Sequence, residues 1–203
     1  MSNLMKNLEV TYSFLNRYKE SHRKYHNLAH IEDCLWKFDL IRHLLHKPDL
    51  VEIALIAHDL VYDPRSKLNE KQSATLITDH MRSRRDIWTQ TDIFFVDQLI
   101  MATQHNWPYP LGHDVAYMVD IDLSSLGSSR AEFFEGGRNI RDEYHFVPIY
   151  EFCQARAKFL KDLLTRPSIF QTTVFNRLFE LKARENIKEA IGYLEKGEDK
   201  HYV

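Results

Sequence analysis

The sequence predicts an all-α protein, and three observations lead to that class. Apolar residues recur at helical spacing along nearly the whole chain. Six glycines and six prolines interrupt 203 residues, which is few for a chain built of short strands and turns. The hairpin dipeptides Asn-Gly and Asp-Gly do not occur. We find no repeat or linker, so we expect a single domain over 1–203, with its core at about 23–187.

The first half of the chain predicts five helices in order. Leu4, Leu8, Tyr12 and Leu15 place the first helix near 3–19. Ile31, Leu35, Phe38, Ile41 and Leu45 share one face of a second helix over about 28–46. A third helix is expected from an N-cap at Asp49 to about 62, followed by a loop with Pro64. The fourth and fifth helices are expected over 68–84 and 89–105 by the same periodicity.

The second half begins with a loop at 106–112, which its prolines and glycine indicate. A short helix near 113–121 leads into the segment DIDLSSLG. Helices near 130–144, 148–165 and 170–196 follow, with Ser129 as an N-cap and Pro148 and Pro167 near helix starts. We expect the tail, 197–203, to be frayed.

Composition and charge narrow the class of protein. The chain is 44% apolar and 28% charged, with a net charge of −2, so no clustered basic face for a nucleic-acid polymer is expected. Cys34 and Cys153 form no disulfide pattern and fit free thiols in a reducing compartment. No signal peptide and no membrane-spanning stretch are apparent, and the expected location is the cytoplasm.

The pair His58-Asp59 is the most informative feature, because it lies in the apolar run ALIAHDLVY. An imidazole and a carboxylate are costly to bury unless they are paired. A divalent metal would pair with both, since imidazole nitrogen and carboxylate oxygen are common metal ligands. The alternative is a buried histidine hydrogen-bonded to its neighbour, and an isolated pair of this kind favours that alternative.

Other residues in apolar contexts could complete a metal site. His30 lies at the start of the second helix beside Leu28 and Ile31, and His26 lies four residues earlier. Two carboxylates, Asp120 and Asp122, flank an isoleucine in a later apolar run. One could bind metal while the other orients a ligand imidazole. Asp122 could instead be the N-cap of the SSLG turn.

Further candidates could handle protons or phosphate. Glu70 fits the first turn of a helix, and it could also be a base or a ligand of a second metal. His105 could be a helix C-terminal cap, a ligand or an acid. Binding of a substrate phosphate needs positively charged side chains. Arg65 is the best-placed candidate, because its loop follows the His58-Asp59 pair. The other cations, which are more readily explained as solvated charges, are Arg23, Lys24, Lys67, Arg141 and Arg156.

The order of these residues resembles the H…HD…D signature of the HD-domain metal-dependent phosphohydrolase superfamily. The segments RKYHNLAHI, HDLVYDPRSKLNEKQSA, ATQHN, DIDLSSLG, IRDEYHFVP and LLTRPSIFQT are similar to successive blocks of a bacterial subgroup of predicted HD phosphohydrolases. The resemblance implies an all-α, HD-type helical bundle with a central metal site. Its implied ligands are His30 rather than His26, His58, Asp59, and Asp122 rather than Asp120.

The function implied by the resemblance is hydrolysis of a small phosphate ester, with nucleotides among the candidates. One divalent ion would be the cofactor (Mn, Mg, Fe and Ni are not distinguished), and a second metal stays open. Hydroxide formed on the metal would attack phosphorus, with Asp59 accepting a proton and Glu70, His105 and Arg65 assisting. No membrane partner is expected, and a homo-oligomer stays open.

Three alternatives remain at this stage. A dinuclear iron oxygenase of the same fold would need two more histidines, for which His80 and His105 lie in the right interval. A non-catalytic module could use the metal site to bind a nucleotide. A helical protein with hydrogen-bonded core histidines would need no metal at all.

Overall fold

A computed structural model describes residues 12–106 and 111–196, and within these ranges the chain is helical and has no β-strand. The all-α class is therefore confirmed for the described residues. The helices are α1 (Tyr12–Arg17), α2 (Leu28–Ile41), α3 (Pro48–Ala57), α4 (Asn69–Ser83), α5 (Gln90–Ala102), α6 (His113–Leu123), α7 (Arg130–Glu143), α8 (Ile149–Leu164) and α9 (Thr173–Lys196). Two 3-10 helices, Arg42–Leu44 and Ser124–Gly127, follow α2 and α6.

The helix boundaries depart from the sequence prediction mainly around α3. The third helix was expected to reach about 62, but α3 ends at Ala57, directly before the His58-Asp59 pair. Asp49 is not the N-cap, because Lys47 takes that position, Pro48 is the first helical residue and Asp49 lies in the first turn. The segments 3–11 and 197–203, and most of the predicted loop 106–112, lie outside the described residues.

Two further helices end early. The second helix was expected to reach 46, but α2 ends at Ile41 and the chain tightens into a 3-10 turn. The fifth helix was expected to reach 105, but α5 ends at Ala102. Helix periodicity locates the apolar face of a helix, but it defines the terminal residues less well.

Contacts divide the chain into two compact units, Met1–Ile121 and Asp122–Val203. In the first unit α3 is the central helix, since every residue from Leu50 to Ala57 is buried. Helices α2 and α5 pack on α3, and α4 packs on α5. The one charged residue in that buried stretch, Glu52, accepts a hydrogen bond of 2.6 Å from the guanidinium of Arg42. The prediction of one domain over 1–203 stays a prediction.

In the second unit α9 packs against α8 and against the 3-10 helix Ser124–Gly127. The buried amide of Asn186 on α9 donates to the carbonyls of Leu126 (2.9 Å) and Ser128 (3.0 Å). Ser129 then begins α7 as the predicted N-cap, in a capping box with Glu132. These polar contacts fix the turn between Ser124 and Ser129 against α9.

Two sequence expectations concern the whole chain. Cys34 and Cys153 are buried and neither is in a disulfide, as expected. Across the described ranges, none of the helices combines the length and the apolar character needed to cross a membrane.

The close approach of Gly127 to α9 gives a stability prediction. A Cβ atom at Gly127 would lie 2.6 Å from Cβ and 2.8 Å from the carbonyl oxygen of Phe179. We expect Gly127→Ala to lower the free energy of unfolding by about 1–3 kcal/mol, because packed backbone cannot move away cheaply. Chemical denaturation measures the change.

A matched glycine lies on α9 itself. Nothing approaches within 4 Å of a Cβ atom built at Gly192, which is in the interior of the helix. Gly192→Ala should therefore stabilise the protein by about 0.5–1 kcal/mol. Equal effects of the two substitutions would contradict the packing described at Gly127.

Candidate metal centre

His30 lies in the first turn of α2 and points into the interior of the first unit. Asn27 is the N-cap, and its side-chain oxygen accepts a hydrogen bond of 2.9 Å from the amide of Ala29. His30 is the third residue of the helix and is buried. One turn later the thiol of Cys34 lies 3.8 Å from Nε2 and 3.9 Å from Nδ1 of His30, so it packs against the ring.

His58 and Asp59 lie directly after the end of α3. His58 follows the last helical residue, and its Nδ1 lies 2.9 Å from the carbonyl oxygen of Leu55. A carbonyl oxygen only accepts hydrogen bonds, so Nδ1 carries the proton and Nε2 presents a lone pair in the neutral ring. This is the arrangement by which a backbone carbonyl orients a metal-binding histidine.

Three potential ligand atoms converge at this point. Nε2 of His58 lies 3.3 Å from Nε2 of His30 and 3.1 Å from Oδ2 of Asp59. Nε2 of His30 lies 3.8 Å from the same carboxylate oxygen. Ligands placed about 2.0–2.2 Å from one ion would be separated by roughly 3–3.5 Å. All three side chains are buried, and together they can hold a metal ion.

The charge on Asp59 needs a positive partner. Its Oδ2 is buried, and no donor among the described residues gives it a hydrogen bond. Burial alone would raise the pKa of Asp59, but the imidazoles of His58, His26 and His30 outweigh burial and hold that pKa below its ordinary value. Protons and a metal cation compete for the same imidazole lone pairs, so a bound cation would take over that stabilisation.

A second group of two histidines and an aspartate has a different character. The rings of His46 and His113 are stacked at 4.1 Å with an interplanar angle of 17°. An ion bound in the plane of one such ring cannot lie in the plane of the other. The buried carboxylate of Asp114 accepts from the amides of His46 (3.0 Å) and Lys47 (2.7 Å), and Nδ1 of His113 lies 2.7 Å from it. The oxygens of Asp114 therefore already accept hydrogen bonds within the protein. We interpret this group as an anchor for the start of α3 rather than as a metal site.

Arg23 is a site residue that the sequence analysis missed. It was treated as a solvated charge, but its side chain is completely buried. Its guanidinium donates to the carbonyls of Asp59 (2.7 Å) and Leu60 (3.1 Å), in the segment that carries the candidate ligand Asp59. No periodicity marks this residue, because it lies in the polar segment between α1 and α2. Arg23 is therefore not available to hold a phosphate.

The other candidate residues lie on three elements. Glu70 is in the first turn of α4, where it accepts a hydrogen bond of 3.4 Å from the amide of Gln104. His105 follows α5 and has a left-handed backbone, with φ of 56°. Arg65 is exposed on the loop after the His58-Asp59 pair.

Asp122 lies in the last turn of α6, where the second unit begins. The alternative reading of Asp122 as an N-cap is wrong. The 3-10 helix Ser124–Gly127 has Leu123 in the N-cap position and no side-chain cap. Its membership of the ligand set stays a prediction. Asp120, the other carboxylate of the pair, is completely buried.

No protein-family model matches this chain, and neither a search of curated proteins nor a search of solved structures returns a significant match. The resemblance to HD-domain phosphohydrolases therefore stays an expectation based on motif order. The convergence of His30, His58 and Asp59 is independent of that resemblance, because it follows from the positions of the three side chains.

The anchoring role of Asp114 has a pH signature. Burial would raise its pKa, but hydrogen bonds from the amides of His46 and Lys47 and from His113 lower it overall. A lowered folded-state pKa stabilises the protein above the unfolded pKa of about 3.9, and this contribution is lost as pH falls through the folded value. We expect Asp114→Asn to lower the free energy of unfolding by about 1–3 kcal/mol at neutral pH.

Denaturation between pH 7 and pH 2 measures this effect. The difference between the two proteins should shrink below about pH 4, where the wild-type carboxylate also becomes neutral. Metal content should be unchanged in the variant. Loss of metal on this substitution would show that Asp114, rather than Asp59, holds an ion.

Proposed function

We propose that this chain is a metal-dependent phosphohydrolase of the HD type that acts on a small phosphate ester. The observation that carries the proposal is the convergence of two imidazole nitrogens and one carboxylate oxygen in a buried position, where that oxygen receives no hydrogen bond from residues 12–106 or 111–196. A buried acceptor without a donor costs about 1–3 kcal/mol, and a bound cation would offset that cost.

The residues present fit a divalent ion. Two neutral imidazoles with one or two carboxylates suit Mn²⁺, Fe²⁺, Ni²⁺ or Mg²⁺, because this mixed set leaves positions for water. When bound, such an ion lowers the pKa of water toward about 7 and supplies hydroxide at neutral pH. His58 is held in the required tautomer by the Leu55 carbonyl, and the ionised Asp59 carboxylate would hold the ion through Oδ2 and accept a proton at its other oxygen.

Other residues of the proposal handle the substrate. Arg65, exposed on the loop after the metal-binding pair, would bind a phosphate oxygen. Glu70 would be a base or hold a second ion, and His105 would donate a proton to the leaving group. The hydrogen bond from Gln104 to Glu70 brings the start of α4 to the end of α5, where His105 lies. Nucleotides are the first substrate class to test.

The competing functions use much of the same site. A dinuclear iron oxygenase would recruit His80 and His105. Neither residue belongs to a group of three metal-binding side chains within the part of the chain that the structure describes. A regulatory nucleotide-binding module would keep the same metal ligands without turnover. Metal analysis followed by a screen of phosphatase and nucleotidase substrates with Mn²⁺, Mg²⁺, Fe²⁺ and Ni²⁺ distinguishes the three functions.

Substitution of a single ligand tests the metal centre. We expect Asp59→Ala to abolish both metal binding and hydrolysis, because it removes the only carboxylate of the converging triad. Elemental analysis and the substrate screen measure the two losses. Asp114→Asn is the control, since it changes a buried aspartate of the same unit that is not a proposed ligand. Retained metal with lost activity would make Asp59 a base only.

Asp122 is the fourth ligand of the proposal, and it is tested separately. Asp122→Asn should weaken metal binding by more than about 100-fold, because loss of a charged ligand exceeds the roughly 10- to 100-fold effect of an outer partner. Calorimetric titration with Mn²⁺ measures the affinity, and Asp120→Asn provides the comparison at the neighbouring carboxylate. Unchanged affinity for Asp122→Asn would leave a three-residue centre.

A further inference from the structure

We infer that Arg23 is a positioning residue for the proposed metal centre, because one buried guanidinium joins the two chain segments that carry the ligands. The inference rests on the proposed function, since it assigns a role in holding the same ligands. Helical periodicity does not indicate this role. The role follows from the hydrogen bonds around the guanidinium and from its burial.

The guanidinium makes hydrogen bonds in three directions. One terminal nitrogen donates to the carbonyl oxygens of Asp59 (2.7 Å) and His26 (3.1 Å), and the other donates to that of Leu60 (3.1 Å). Nε donates to the carboxylate of Glu20 at 2.9 Å. All three nitrogens of the planar group are therefore engaged, and four of its five N–H donors have acceptors.

The surroundings are shaped for a guanidinium. The side chain of Arg23 has no exposed surface. Its central carbon lies 5.2 Å from the ring centre of Tyr18 and 5.5 Å from that of Tyr62. Two aromatic faces and one carboxylate compensate the buried charge, which would otherwise be costly. The group is thus fixed in place and faces backbone rather than substrate.

The acceptors are the backbone groups that aim the ligands. The Asp59 carbonyl belongs to a ligand residue, and the Leu60 carbonyl fixes the next peptide. The His26 carbonyl lies in the turn before Asn27, the N-cap of the helix that carries His30. His30 and Asp59 lie about 29 residues apart in sequence. Arg23 donates hydrogen bonds to the segment that precedes His30 and to the segment that contains Asp59. Its loss would let these segments move independently.

Lysine cannot reproduce this arrangement. A lysine ammonium is a single point of positive charge, whereas the guanidinium is a planar fork that reaches separate acceptors. Arg23→Lys therefore keeps the charge and much of the length but loses the bridge. A residue that only stabilised the fold would affect unfolding without changing the metal's coordination.

The test titrates the full-length protein with Co²⁺, using calorimetry for affinity and the visible absorption of Co²⁺ for coordination geometry. We expect Arg23→Lys to weaken Co²⁺ binding by about 10- to 100-fold and to alter the spectrum. Asp114→Asn is the control, because it destabilises α3 from the opposite end, and it should keep the wild-type affinity and spectrum.

A milder variant covers the case in which Arg23→Lys does not fold. Glu20→Gln retains the guanidinium but removes its ionic partner, so it should give a smaller loss of Co²⁺ affinity in the same direction. Wild-type affinity and spectrum in the folded variant would overturn the role of Arg23 alone. Absence of Co²⁺ binding by the wild-type protein would overturn the metal centre and this inference with it.

Discussion

The first unit depends on one constraint: the carbonyl oxygens at the end of α3 lie in an apolar interior. They have no partner within the helix, so other groups must donate hydrogen bonds to them. Nearly every carbonyl from Leu55 to Tyr62 receives one. The donors, in chain order of their acceptors, are His58 to Leu55, Tyr18 to Ile56, Leu60 to Ala57, Arg23 to Asp59 and Leu60, Ser73 to Val61, and His22 to Tyr62. Side chains supply most of these donors, so the chain leaves the helix along one path, and that path aims His58 and Asp59 inward.

The two ends of α3 show how the same residue type can stabilise a fold or form a site. At the start, Asp114 accepts two amide hydrogen bonds and one contact from His113, so its charge is compensated within the protein. At the end, Oδ2 of Asp59 is buried and receives no hydrogen bond from any described residue, although the carbonyls around it have donors. A selective failure of this kind is expected at a functional position, because a ligand can complete what the protein leaves open.

The sequence predicted much of this arrangement but not the hydrogen bonds that hold the segment after α3 in place. Helical periodicity located all the described helices, and the apolar surroundings of His30, His58 and Asp59 indicated side chains that the structure brings together. The helix ends were less accurate, since α3 stops where side chains from other elements bond to its carbonyls. The burial of Arg23, which was expected to be a solvated charge, was not predicted for the same reason: it is decided by backbone acceptors, and backbone acceptors leave no pattern in the sequence.

The proposed hydrolysis needs groups beyond the triad of His30, His58 and Asp59. His105 adopts a left-handed backbone, which non-glycine residues rarely do and which costs free energy unless the surroundings enforce it. The residue before it, Gln104, is tied to Glu70 at the start of α4. This hydrogen bond joins the segment that follows α5 to the first turn of α4. The proposed roles of Glu70 and His105 rest on this connection, because it holds together the two segments that carry them.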